Sequence, residues 1–211
     1  MAAMPEPGPD CSLCPRLVDY RNDSRRDHPD WHNAPVASFG AIDAGLLIVG
    51  LAPGMRGANR TGRPFTGDAA GDLLYPTLIK FGLAEGNFGA KADDGLRLVN
   101  CRITNAVRCV PPENRVTAAE ARACGPFLVD EIAAMENLKA ILALGGVAHG
   151  AVLTTLGLKK SAHKFGHGAQ HPLNDGLILI NSYHCSRYNT NTGRLTTPMF
   201  ETVFEDLLKL L

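Results

Sequence analysis

The chain has 211 residues, of which 45% are hydrophobic and 20% charged, enough apolar material for one well-cored domain and too much for a disordered one. Formal net charge is zero, which excludes the global basic field of a general nucleic-acid binder and leaves any such role to local patches. No long apolar run calls for a membrane, and residues 1–10, Pro-rich and acidic, lack the basic and apolar regions of a secretory signal; they are expected to be flexible, in a cytoplasmic protein.

In such a compartment the six cysteines are not a disulfide framework, so metal or cluster ligation leads. The first pair, Cys11 and Cys14, forms a CxxC followed by Pro15, a turn that zinc sites, clusters and redox pairs all use. Residues 16–30 are highly charged, a helix start or solvated face broken by the Asp-His-Pro-Asp run at 27–30, after which Trp31 reads as a half-buried anchor.

The run LLIVGLAPG at 46–54 predicts a buried strand that empties into a tight turn. Beyond it lies a loop carrying Arg56, Arg60 and Arg63 among glycines, where backbone can approach a ligand and guanidinium groups suit phosphates. Apolar residues at helical spacing over 72–81 predict a helix with Pro76 in or near its first turn. Residues 96–107 read as a second strand. Thr117 with Glu120 makes a capping box for a helix to about Met135, with Cys124 inside it. A third strand at 138–146 ends in a glycine pair and leads into a helix over 147–156. A loop dense in Lys and His covers 159–171, a fourth strand runs over 176–182, and an amphipathic helix covers 197–211. Continuous apolar strands between helices predict one α/β domain over 1–211, a three-layer αβα sandwich around a central, mainly parallel four-stranded sheet.

Parallel strands deliver the residues beyond their C-terminal ends to one crevice. That rule gathers Phe65 and Asp68 from the first loop, Asn105, the Gly145–Gly146 pair and His184, with several arginines. Each has a plain structural alternative: Asp68 can cap the next helix, Asn105 can be a turn residue, Phe65 can be core, and His184 a satisfied structural histidine. Cys11, Cys14, Cys109 and Cys124 can meet only if the N-terminus folds back, and their chemistry accepts either zinc or a 4Fe–4S cluster. Cys101, inside a strand pattern, reads as a small buried hydrophobe, and Cys185 beside His184 is a minor nucleophile candidate.

Cys11-Ser-Leu-Cys-Pro-Arg16, GLAPG at 50–54, NRTGRPFTGD at 59–68, TNAVRCVPPENR at 104–115, Ala121 to Cys124, Ser182-Tyr-His184 and NTGRLT at 191–196 follow one another in a family's order. On these stretches the chain resembles the iron–sulfur uracil-DNA glycosylases, most closely the type B, or family 5, branch. The resemblance implies a structural 4Fe–4S cluster on Cys11, Cys14, Cys109 and Cys124. It further implies hydrolysis of the N-glycosidic bond of uracil, or another damaged base, flipped out of DNA. In that reading Phe65 stacks on the base, Asn105 reads its pairing edge, His184 and Asp68 are catalytic, and the backbone at Gly50, Leu51 and Ala52 lines the pocket.

Two departures are visible. Leu51 stands where type A relatives carry an acidic residue, which leaves Asp68 as the catalytic acid. After His184, where relatives commonly read His-Pro-Ser-Pro, two prolines are missing, and Arg187 and Tyr188 become wedge candidates. Arg56, Arg60, Arg63, Arg108, Lys159, Lys160, Lys164, Arg187 and Arg194 are expected to form a DNA-binding face on a monomeric protein. The competing readings are a glycosylase-like module that holds uracil or abasic DNA with little turnover and, more weakly, a zinc-bound nucleotide hydrolase.

Overall fold

The computed structural model describes residues 6–211. Its helices are α1 (Pro15–Asp27), α2 (Ala58–Thr61), α3 (Ala69–Lys80), α4 (Ala118–Ala134), α5 (Gly146–Thr155), α6 (Arg187–Asn191) and α7 (Thr197–Leu208). Its strands are β1 (Leu46–Gly50), β2 (Ala84–Glu85), β3 (Arg97–Leu98), β4 (Cys101–Asn105), β5 (Ala140–Leu144), β6 (Gln170–Pro172) and β7 (Ile178–Ser182). The main sheet runs β4-β1-β5-β7-β6. Its first four strands are parallel and β6 is an antiparallel edge.

The three layers follow from the two-residue period of β1. Leu46 and Ile48 pack with Leu74 and Leu78 of α3 and with Phe200 and Phe204 of α7, whereas Leu47 and Val49 pack with Leu128 of α4 and Val152 and Leu153 of α5. A strand with helices over both faces needs apolar residues at every position, which is why 46–49 shows no alternation.

The αβα architecture is as expected, with three corrections. The sheet has five strands, because β6 lies inside the Lys- and His-rich loop, where a three-residue edge strand carries little apolar signal. The strand expected over 96–107 is split: Asn100 takes a positive φ of 48°, its side-chain oxygen accepts from the Gly45 backbone N–H at 2.6 Å, and β3 pairs separately with β2. Helix α3 starts at Ala69, so Pro76 falls in its interior instead of its first turn. Thr117 and Glu120 do form the reciprocal capping box of α4.

At the N-terminus, Asp10 pairs with Arg25 at 2.8 Å, and Glu6 lies within 3.6 Å of Arg102 and 3.5 Å of Arg108. The flexibility expected over 1–10 falls in part on residues 1–5, which lie outside the described residues. Trp31 is half-buried and stacked on His28, ring centroids 3.9 Å apart. Among the described residues no helix is long and apolar enough to cross a membrane.

Candidate active site and cysteine cavity

β1 ends at Gly50 and β4 at Asn105, and the register of the sheet sets these two residues side by side. The chain beyond β1 turns between Gly54 and Gly57, where the Gly57 N–H donates to the Gly54 carbonyl at 3.2 Å, and β7 delivers His184 two residues past its end. Together they line an open cleft of about 790 Å³ whose walls include Leu51, Ala52, Arg56, Phe65, Asp68, Asn105, His184 and Arg187.

Gly50, expected in the lining, is buried beneath the cleft and does not line it, unlike Leu51 and Ala52. A Cβ on Gly50 would fall 2.4 Å from the Asn105 Oδ1 and 2.6 Å from the Phe65 Cζ, so the amide and the ring close over bare backbone. Phe65 holds a positive φ of 51°, a conformation that costs a non-glycine residue about 1–3 kcal/mol. Its neighbours fix it there: Tyr75 donates its hydroxyl to the Pro64 carbonyl at 2.6 Å, and Thr61 donates to the Thr66 carbonyl at 3.0 Å. The Phe65 and His184 rings are 6.0 Å apart, tilted by 31°.

Asp68 does two things at once. Its Oδ1 caps α3 by accepting from the Ala70 and Gly71 N–H groups at 3.1 and 3.4 Å. Its Oδ2 lies against the turn, where a Cβ on Gly57 would sit 2.2 Å away. Capping holds the carboxylate on the cleft wall. His184 is half-buried, and burial lowers its pKa below the ordinary histidine value, with the Asp68 charge acting in the opposite sense. Asn189 donates to the His184 carbonyl at 2.8 Å and ties the loop to α6. Cys185 is fully buried and burial pushes its thiol up to about 12, which removes it as a nucleophile. Cys101, 1% exposed in β4, is the buried hydrophobe expected.

The arginines divide. Arg56 and Arg187 are exposed on the cleft wall, Arg60 is exposed on α2, and Tyr188, 72% exposed, stands on α6. Arg194 lies 4.7 Å over the Tyr183 ring and lines a neighbouring cavity of about 280 Å³ that shares Leu51 and His184 with the cleft. Lys159, Lys160 and Lys164 are exposed but stay outside the cleft lining. Arg63 and Arg108 are corrections to the expected DNA-binding face. Arg63 is 4% exposed, makes two 2.7 Å bonds to Asp94 and is surrounded by Phe39, Tyr75 and Phe88. Arg108 is 1% exposed and bonds Glu131 at 2.7 Å. Neither guanidinium is free to meet a phosphate. Met55, Asn114 and Ser186 also line the cleft, and sequence reasoning does not single them out. Of these, only Asn114 carries a local signal, an asparagine after Pro-Pro-Glu that takes a positive φ of 56°.

On the other side of the β4 exit, Cys11, Cys14, Cys109 and Cys124 line a single cavity with Leu17, Arg21, Val107 and Phe127. The N-terminus does fold back, through the bidentate Arg16–Glu120 pair that ties α1 to α4 at 2.7 and 2.8 Å. Burial raises the pKa of Cys14, Cys109 and Cys124, with Cys109 pushed to about 11, so as free thiols they are protonated and a metal would displace their protons. Two donors already face the sulfurs: the Arg108 backbone N–H at 3.4 Å from Cys124 and Arg21 at 3.8 Å from Cys109. Among the described residues no three His, Cys, Asp or Glu side chains close around one metal ion. Four soft donors around one cavity could hold either one tetrahedral ion or a cluster that takes one thiolate at each of several metals.

A model of the Uracil DNA glycosylase superfamily matches residues 37–208. A type-5 uracil-DNA glycosylase of Thermus thermophilus is 47% identical over 206 residues, which cover 95% of this chain and 93% of the relative. One from Pyrobaculum aerophilum is 41% identical over 92% of this chain and 85% of the relative. A type-4 uracil-DNA glycosylase of the same organism is 33% identical over 74% of this chain and 65% of its own length.

Proposed function

The chain belongs to the uracil-DNA glycosylase superfamily, and we propose that it is a DNA-repair glycosylase of the type-5 branch that hydrolyses the N-glycosidic bond of uracil and leaves an abasic site. The observation that carries the reading at this site is the closure of Phe65, Asn105, Asp68 and His184 around one cleft over Gly50. A base inside a duplex is out of reach of these groups, so the nucleotide must be turned out of the stack.

In the pocket Phe65 offers a face for the base, and the Asn105 amide has both the donor and the acceptor that uracil's O4 and N3–H require. As the C1′–N1 bond breaks, its electrons pass into the base, and negative charge grows on the O2 oxygen. His184, kept neutral by burial, donates an N–H there and stabilises the departing base. The sugar becomes cation-like, and Asp68, held by its capping bonds, stabilises it and orients the water whose oxygen bonds to C1′. As the water's oxygen bonds to C1′ its proton passes to the Asp68 carboxylate, and one proton is returned to the excised base anion on release, so the water is divided between the sugar and the base. Arg56, Arg60, Arg187 and Arg194 hold the DNA backbone, and Tyr188 with Arg187 fills the vacated place in the duplex.

Cys11, Cys14, Cys109 and Cys124 would hold a 4Fe–4S cluster, which when bound supplies a rigid crosslink between α1, the β4 exit and α4 and no catalytic step. The protein acts as a monomer in the cytoplasm, on DNA.

The test is a cleavage assay on a labelled uracil-containing oligonucleotide, single- and double-stranded, followed by alkali. Wild type releases the base. His184→Ala and Asp68→Ala each lower the single-turnover rate about 10²–10³-fold while DNA binding is retained. DNA held in a stable complex without base release would overturn the enzyme in favour of a binding module.

A further inference from the structure

The cysteine cavity contains a charge for which the cleft chemistry has no use. Arg21 follows Cys14 by seven residues on α1, so the helical repeat aligns Cys14, Leu17, Val18 and Arg21 along one face, and all four line the cavity. Arg21 is 3% exposed. Its Nη2 donates to the Cys11 carbonyl at 2.9 Å, its Nη1 directs an N–H at the Cys109 Sγ across 3.8 Å, and its Nε is buried without a partner.

The other buried guanidiniums show what is missing. Arg63 has Asp94, and Arg102 and Arg108 share Glu131. Among the described residues no carboxylate comes within ion-pair distance of Arg21, and a guanidinium cannot give up its proton to escape burial. Neutral thiols and one carbonyl do not balance a buried cation. Four thiolates around an iron–sulfur core do, because together they carry more negative charge than the core cancels.

We propose that Arg21 is the counter-ion of an iron–sulfur centre held by Cys11, Cys14, Cys109 and Cys124, and that it sets how readily that centre is oxidised. The inference rests on the cluster reading above. A fixed cation beside the centre favours its more negative, reduced form, so it raises the reduction potential and slows the loss of an electron to dioxygen that precedes breakdown of the core. Arg108 cannot do this work: its guanidinium is already compensated by Glu131, and only its backbone N–H reaches Cys124.

The experiment compares anaerobically purified wild type with Arg21→Gln and Arg21→Met, two neutral variants, and Arg21→Lys, which keeps the charge. Iron and sulfide content, the midpoint potential and the rate of bleaching of the visible iron–sulfur absorption in air are measured. Either neutral variant, folded by circular dichroism, is expected to show a lower potential and several-fold faster bleaching, with Arg21→Lys recovering most of both. A folded neutral variant with wild-type iron content, potential and bleaching rate overturns the proposal. Should neither neutral variant fold, Arg21→Lys decides: wild-type iron content supports the counter-ion, and a folded but iron-free protein overturns it. Wild type without iron and sulfide would defeat the cluster reading itself, a distinct result.

Discussion

Arg56 and Arg63 stand seven residues apart in one glycine-rich loop, and they have opposite fates. Arg56 is exposed on the wall of the cleft, whereas Arg63 is buried in a bidentate pair with Asp94 inside a cage of three aromatic rings. The first keeps its charge available to whatever enters the cleft. The second commits it to Asp94, which also accepts from the Gly89 and Leu96 backbone N–H groups at 2.9 and 3.1 Å and so ties a distant loop to the wall behind Phe65. Within this one loop, the exposed guanidinium has no carboxylate partner and the buried one is committed to holding the fold.

That contrast can be broken from either side. The largest effect is expected at Asp94→Asn, which leaves Arg63 buried and uncompensated and should cost about 3–5 kcal/mol of unfolding free energy in chemical denaturation. A cost within about 0.5 kcal/mol, typical of an indifferent surface site, would return Arg63 to the DNA-binding face.

The same pair has a pH signature. The hydrogen bonds from Arg63 hold the Asp94 carboxyl well below the usual carboxylate range. Its stabilisation is therefore fully present above about pH 4, the unfolded value, and is lost as pH falls toward the lower folded value. Wild type should lose stability through that acid window, and Asp94→Asn should lose less there; parallel acid limbs in the two proteins would contradict the assignment.

Arg56→Ala should behave in the opposite way. Unfolding free energy should change by no more than about 0.5 kcal/mol, while DNA binding weakens and the slope of log affinity against log salt becomes shallower by about 0.9, the increment for one phosphate left without its cation. An unchanged slope would mean that the cleft wall does not touch the backbone of DNA. The smallest shift is expected in the titration of His184 within the cleft. Since the Asp68 charge raises the pKa of His184 against the effect of burial, Asp68→Asn should lower it further, and an NMR titration of the imidazole that shows no movement would uncouple the two groups.

Much of the site is legible in the sequence because it depends on a rule of topology. Buried strands are visible as apolar runs, and parallel strands bring the residues beyond their ends together, so Phe65, Asp68, Asn105 and His184 can be gathered from separate stretches of chain. The partners of charges are not legible. Asp94 sits 31 positions from Arg63 in an ordinary polar loop, and Glu131 serves Arg102 and Arg108 from the far helix, so nothing local marks these arginines as buried. Asn100 divides an apparent strand for the same kind of reason, through a side-chain bond to Gly45 that spans 55 positions. Asp68 combines two readings that the sequence poses as alternatives, helix cap and cleft carboxylate.

The bare backbone at Gly50 carries a consequence for selectivity. The Asn105 amide and the Phe65 ring that face the cleft rest on main chain bonded into a five-stranded sheet, which cannot yield one residue at a time. The depth of the cleft therefore inherits the stiffness of the whole sheet. It acts as a fixed gauge, with the entropy of ordering its floor given up when the chain folded, before any DNA arrives.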